Sequence, residues 1–192
     1  MITARLRVGY LPTHLSWKSA SRPQLKPTTD SWRVDETYVK VKGHWLYQYR
    51  AVDSVGHTLD FRLSATRDAQ AAQAFFEKTL DAPHTVEPRV INVDKNAAYP
   101  KAVETLKALG HLAADCELRQ VKYLNNLVEQ DHRFIKRRTR PGLGFFTFDT
   151  AQRTLAGYET MNMVRKGPVK GVDKGDILAQ VRLIDSLFGL AA

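Results

Sequence analysis

Three acidic residues occupy settings in which a carboxylate is suited to more than solvation. Asp35 lies within the alternating run VDETYVKV, where both faces are partly apolar. A carboxylate there is costly unless it meets an edge, a metal or hydrogen-bond donors. Asp94 directly follows the apolar run Val90-Ile91-Asn92-Val93, at the C-terminal end of a short buried strand, where ligands gather in α/β sheets. Glu129 belongs to YLNNLVEQDHRFIKRR, read as a helix from about Asn125 to Arg137. Breaking a phosphodiester needs an activated oxygen nucleophile and support for the departing 3′ oxygen. Two hard cations roughly 3.5 to 4 Å apart supply both, and hard cations take oxygen ligands rather than His or Cys.

The helix bearing Glu129 adds cations. At about 100° per residue, Leu124, Leu127, Val128, Phe134 and Ile135 form an apolar stripe expected to face a sheet. Glu129 and Lys136 fall within about 20° of each other on another face, with His132 and Arg133 beside them. Lys136, Arg133, Arg137, Arg138 and Arg140 are therefore expected to hold a phosphate backbone, contacts that position DNA but carry little sequence information. Asp131 falls on the apolar stripe and is expected to pair with a basic neighbour. His132 reads as a surface or DNA-contacting residue rather than a metal ligand. Pro141-Gly142-Leu143-Gly144 lacks the spacing and lysine of a phosphate-binding loop, so it reads as a turn. Cys116 reads as a small, partly buried residue, and Trp32, Trp45 and the tyrosines of the second strand as core. Asn125 and Asn126 orient DNA or solvate the start of the helix.

These residues need a scaffold, and the pattern provides one. Arg33 to Val41, Trp45 to Asp53 and Thr58 to Ala65 read as strands of an antiparallel meander, broken at Gly43 and Val55-Gly56. A helix over Asp68 to Leu80 follows, then the strand ending before Asp94, a helix from Tyr99 to Leu109 with Pro100 in its first turn, and a fifth strand at Leu118 to Val121. Helices from Phe148 to Val164 and from Lys174 to Phe188 follow the basic helix. This order predicts an α/β fold of the ribonuclease H-like kind, a five-stranded mixed sheet flanked by helices.

The whole-chain numbers agree. With 192 residues and 43% hydrophobic composition, the chain suits one globular domain. The net charge of +9 points to a polyanionic partner. That charge is concentrated: net +4 over 1–30, zero over 31–119, +6 over 120–170 and −1 over 171–192. Residues 1–30, with Pro12, Pro23 and Pro27 and no apolar period, read as a basic, poorly ordered arm or linker. Residues 31–170 read as the ribonuclease H-like domain that carries the three acids, and 171–192 as a C-terminal amphipathic helix that packs on the core or self-associates. The single cysteine excludes an internal disulfide and suits a reducing compartment. No apolar run long enough to span a membrane occurs, because Arg182 and Asp185 interrupt the most apolar tail.

The blocks DSWRVDETYVKVKG, RVINVDKNAAYPKA and LRQVKYLNNLVEQDHRFIKRRTRPGLGFFTF resemble the catalytic core of bacterial insertion-sequence 6 family transposases, which carry a DDE active site. The resemblance runs from about Pro27 to the C-terminus. It implies that Asp35, Asp94 and Glu129 are the acidic triad, with 34 residues between the last two, and that Lys136 is the basic residue seven after the glutamate. It implies magnesium-dependent strand cleavage and transfer between DNA sites, a homo-oligomer when active, and a bacterial cytoplasmic protein, nucleoid-associated when on DNA. In the expected arrangement Asp35 bridges two magnesium ions, replaceable by manganese, with Asp94 completing one site and Glu129 the other. Family members usually carry an N-terminal helix-turn-helix region, which the residues before Asp35 do not resemble. An inactive DNA-binding remnant is therefore the alternative reading, and a purely hydrolytic nuclease a third.

Overall fold

The computed structural model of the chain describes residues 24–121 and 125–188. Its strands are β1 (Ser31–Val41), β2 (His44–Asp53), β3 (Thr58–Ser64), β4 (Val90–Val93) and β5 (Glu117–Gln120). Its helices are α1 (Ala69–Leu80), α2 (Ala98–Ala108), α3 (Asn126–Thr139), α4 (Phe148–Lys166) and α5 (Ile177–Phe188).

β1 to β3 form where Val, Tyr, Trp and Thr recur, residues that fit a pleated, half-buried surface. Lys42 and Gly43 reverse the chain between β1 and β2 with φ of 49° and 82°, the two-residue turn whose twist matches the flanking strands. At the start of α1, Asp68 accepts a hydrogen bond from the Ala71 amide at 2.8 Å, satisfying one of the free donors of the first turn. The strand order is β3-β2-β1-β4-β5. β3, β2 and β1 run antiparallel, and β1, β4 and β5 run parallel. This is the mixed five-stranded sheet expected from the sequence.

Alternation along β1 divides the molecule into layers. Trp32 and Val34 pack with Phe75 and Phe76 of α1 and Tyr99, Val103 and Leu106 of α2. Val39 and Val41 pack on the other face, with Ile135 of α3 and Ala151 and Leu155 of α4. A smaller cluster joins Leu25, Val169 and Val172 to Ala179 and Leu183 of α5. α5 thus rests on this small cluster along one side, while Ile177, Leu178 and Val181 remain exposed.

Part of the expected loose arm is held in place. Leu25 is buried and bridges Val169, the Lys26 amide donates to the Pro168 carbonyl, and the Thr28 amide donates to the His84 carbonyl. The apolar anchor is Leu25, whose single side chain left no periodic signal among the prolines. The rest of that expectation, on residues 1–23, lies outside the described residues, as does the stripe position Leu124.

Candidate active site

The sheet register brings two of the predicted acids together. β1 and β4 pair in parallel through Arg33↔Asn92, so the same register two residues on sets Asp35 beside Asp94. Carboxylate oxygens of Asp35, Glu36 and Asp94 lie within 4.8 Å of one another. Asp94 follows the last residue of β4, and its Oδ1 accepts from the Asn96 amide at 3.1 Å. This fixes the turn into α2.

Glu36 belongs to this locus although Asp35 alone was singled out from that stretch. Its carboxylate accepts from the Tyr99 hydroxyl, from Arg67 Nε, and from Asn96 Nδ2 at 3.2 Å. Arg67 also reaches Asp94 Oδ2 at 3.4 Å, so one guanidinium spans two of the clustered acids. Burial, followed in importance by the Tyr99 hydrogen bond pulling the other way and the charge of Asp94, leaves Glu36 with a raised pKa. The available sequence signal was a second charge in the same strand, one residue from the first and hence on the opposite face.

Glu129, on α3, is not one of the three clustered acids. Asn125, just before the helix, donates to the Val34 carbonyl at 3.3 Å. His132 Nε2 lies 3.4 Å from Asp35 Oδ2. Glu129 stands four residues after the first of these contacts and three before the second, so it shares their side of the helix. The half-buried Glu129 is thereby placed on the flank of α3 that runs along β1. Lys136 continues the same line one turn beyond His132.

His132 corrects the sequence reading. It is buried at 5% exposure rather than on the surface. Burial first, then the neighbouring charges of Arg50 and Lys136, lower its pKa against the opposing pull of Asp35, leaving a neutral ring against the aspartate.

The predicted apolar stripe of α3 is rotated. The buried positions are Val128, Asp131, His132 and Ile135, whereas Leu127 and Phe134 are half-buried and line a side cavity. Asp131 can face inward because cations meet it there, as expected. Lys166 of α4 donates to it, and Arg50 Nη1 approaches to 3.5 Å. Fully buried Arg50, the cross-strand partner of Asp35, also pairs with Glu159 of α4, which accepts from Gln48 at 2.9 Å. Burial pushes the Arg50 pKa down to about 10 and lowers that of Lys166. These ionic contacts tie α3 and α4 to β2, the strand beside β1 in the sheet.

The predicted phosphate contacts lie on two sides of α3. Arg133 and Arg137 are exposed and line a cavity of about 760 Å³ with Arg165 and Lys166. Lys136 and Arg140 line another, of about 750 Å³, beside β1 and β2. Arg138 lies over the Phe134 ring, 3.6 Å from its centroid. Pro141 to Gly144 forms the expected turn, a single 3-10 turn over Arg140–Gly142 followed by Leu143 at φ 56°. Asn126 is exposed, whereas Asn125 is buried against β1. Cys116 is buried and its thiol is pushed up to about 11 by burial, which suits packing rather than reaction. Trp32 and Tyr49 are core, as read, but Trp45 is not: it is 60% exposed, because β2 extends past the helices at its hairpin end.

A mixed five-stranded sheet flanked by helices, with neighbouring acids on β1 and after β4, defines a ribonuclease H-like fold. The chain belongs to the DDE-domain family of insertion-sequence transposases: the family description "DDE domain", of the IS240 type, matches residues 29–168. A transposase for insertion sequence-like element IS431mec from Staphylococcus aureus is 40% identical over 136 residues, 70% of this chain and 58% of that protein. The transposase for insertion sequence element IS257 in transposon Tn4003, also from Staphylococcus aureus, matches with the same identity and coverage. The chain thus spans about 58% of the length of these relatives. In fold it is similar to the HTLV-2 integrase catalytic core domain in complex with magnesium, with a TM-score of 0.52 at 16% identity over 73% of this chain and 86% of that one. The BIV integrase catalytic core gives 0.51 at 13% identity over 82% and 97%. Among the described residues no helix is long and apolar enough to cross a membrane.

Proposed function

We propose that this chain carries, over residues 31–170, the catalytic domain of a transposase that cleaves DNA and joins the cut end to a new site. Asp35, Asp94 and Glu129 are its catalytic acids. The observation that carries this reading is the convergence of Asp35 and Asp94 from adjacent parallel strands in a chain of the DDE-domain family.

The donor set fits a divalent cation, being all oxygen and already gathered within 4.8 Å by Asp35, Glu36 and Asp94. Asp35, Asp94 and Glu129 would hold two magnesium ions, with manganese able to replace them. When bound, the metal supplies the positive charge that activates an attacking oxygen and stabilises the leaving one. The chain's own residues do the rest. The three acids fix where that charge sits. Neutral, buried His132 packs against Asp35 and keeps water from its inner side, while Arg67 and Asn96 hold the Glu36 and Asp94 side chains relative to each other. Lys136, Arg133, Arg137, Arg138 and Arg140 grip phosphates through charge. In joining, the freed 3′-hydroxyl forms a new phosphorus–oxygen bond in the target as the target's own 3′ oxygen departs.

The partners in this reading are element-end and target DNA and further copies of the same chain, since joining two ends calls for more than one subunit. The relatives' context supports a bacterial cytoplasmic protein, nucleoid-associated when on DNA. Plasmid nicking and joining in Mg²⁺ or Mn²⁺, with Asp94→Asn purified identically, tests it. The parent is expected to nick and Asp94→Asn to bind the same DNA without nicking it. Equal nicking by both would remove Asp94 from the mechanism, and salt-sensitive binding without nicking by either would favour a binding remnant.

A further inference from the structure

The edge of the sheet next to the catalytic acids carries an aromatic surface that the proposed reaction does not use. Beyond Arg33, β1 has left β4 behind, and its remaining length runs on to the hairpin with β2. There Tyr38 is 47% exposed and Trp45 60% exposed. The Tyr38 ring meets Trp45 edge-on at 6.4 Å between centroids and Tyr47 at 5.3 Å. Lys40 Nζ stands 5.9 Å from the centre of the Trp45 ring.

The cavity at this patch, of about 750 Å³, is also lined by Lys136 and Arg140 and by no acidic residue. Its far wall is built. Phe145 pairs with the end of β1, its amide donating to the Lys40 carbonyl at 2.8 Å and its carbonyl accepting from the Lys42 amide at 2.6 Å. Gly144 makes that approach possible: its φ is 113°, and a Cβ there would lie 2.8 Å from the Lys40 carbonyl oxygen.

We infer that Tyr38, Trp45 and Tyr47 form a stacking platform for an unpaired nucleotide of the bound DNA, with Lys136 and Arg140 holding its phosphates. This rests on the reading of the chain as a DNA strand transferase. Tyr38 lies three residues, about 10 Å, along β1 from Asp35 and on the opposite face, so the platform would meet a strand that wraps the open side of β1 beyond the acids. Aromatic faces accept any base, and cations at the rim accept the backbone. The wholly basic rim matches a nucleic acid better than a protein surface of mixed charge.

Binding of the full chain in metal-free buffer is measured with two probes of one duplex sequence, blunt-ended or carrying a five-nucleotide thymidine tail. The parent is expected to prefer the tailed duplex by about tenfold. Trp45→Ala loses most of that preference while its blunt-duplex affinity stays within about twofold, and Trp45→Phe, which keeps a ring, retains most of it. Tryptophan fluorescence of the parent is quenched by the tailed probe and not by the blunt one, and the quench disappears in Trp45→Phe. Tyr38→Ala, on the neighbouring strand, gives an independent reading should Trp45→Ala fail to fold. The inference is overturned if the parent binds both probes alike, if either alanine variant keeps the parent's preference, or if Trp45→Ala alters only the sedimentation of the chain, which would make the patch an interface between copies. Magnesium-dependent nicking by the parent, read in parallel, tests the strand-transferase reading separately.

Discussion

Arg50 shows how much of this site depends on side chains that never touch a substrate. It is fully buried between Glu159 and Asp131 and sits opposite Asp35 across β1 and β2. Removing one member of a buried ionic group leaves the others charged and unpaired, which costs about 3–5 kcal/mol. Arg50→Ala is therefore expected to lower the unfolding free energy by roughly that amount in urea titrations, and a loss below about 1 kcal/mol would mean that water compensates the two acids. None of this was visible in the sequence beyond the expectation that Asp131 meets a cation. Arg50 and Glu159 are far apart in the chain, and no local spacing announces their pairing. The same limit hid Glu36: its neighbour in sequence is Asp35, but its partners Tyr99, Arg67 and Asn96 come from three later segments. His132 was misread because a histidine among five cations looks solvated, whereas its helix position turns it toward β1.

The elements themselves were legible. Among the described residues, the five strands and five α-helices were anticipated, because alternation in β1 to β3 and helical spacing in α1 to α5 are local signals. Boundaries moved by one to three residues, as at the start of α5, which begins at Ile177 instead of Lys174. What periodicity did not supply was where an element outruns its cover, and Trp45 at the hairpin end of β2 is the instance.

The turn between β2 and β3 offers a pH test at this scale. Asp53 ends β2, and its carboxylate accepts from the amides of Thr29, Val55 and His57. Burial opposes its charge, but these bonds, with His57 foremost, hold its pKa below the ordinary value of 3.8. The folded state thus favours the ionised form: the stabilisation is complete above about pH 4 and is lost as pH falls through the lower folded-state value. Asp53→Asn is expected to cost about 1.5–3 kcal/mol at pH 7, with the deficit shrinking below about pH 4. A deficit that does not change with pH would contradict the assignment.

Across the whole molecule, charge and fold divide the labour. The net charge of +9 is carried largely by the first thirty residues and by the stretch from 120 to 170, and α3 in that stretch lies along β1. Five cations on phosphates give a slope of about −4 to −5 for log affinity against log salt, measurable with duplex DNA. Replacing Lys136 and Arg140 together with alanine is expected to reduce that slope by about 2, and an unchanged slope would place DNA on another face. The family and the mixed sheet explain why three acids distant in sequence are carried by β1, the turn after β4 and α3.

Glu129 is the acid whose place rests on α3 rather than on the sheet, so it bears most directly on the proposed triad. Strand transfer of a pre-cut DNA end into plasmid in Mg²⁺ should be compared for the parent and Glu129→Gln, with DNA binding measured on the same preparations. Joined products from the parent, with none from a Glu129→Gln protein that binds normally, are the predicted result. Joined products at the parent's rate from Glu129→Gln would contradict the three-acid site.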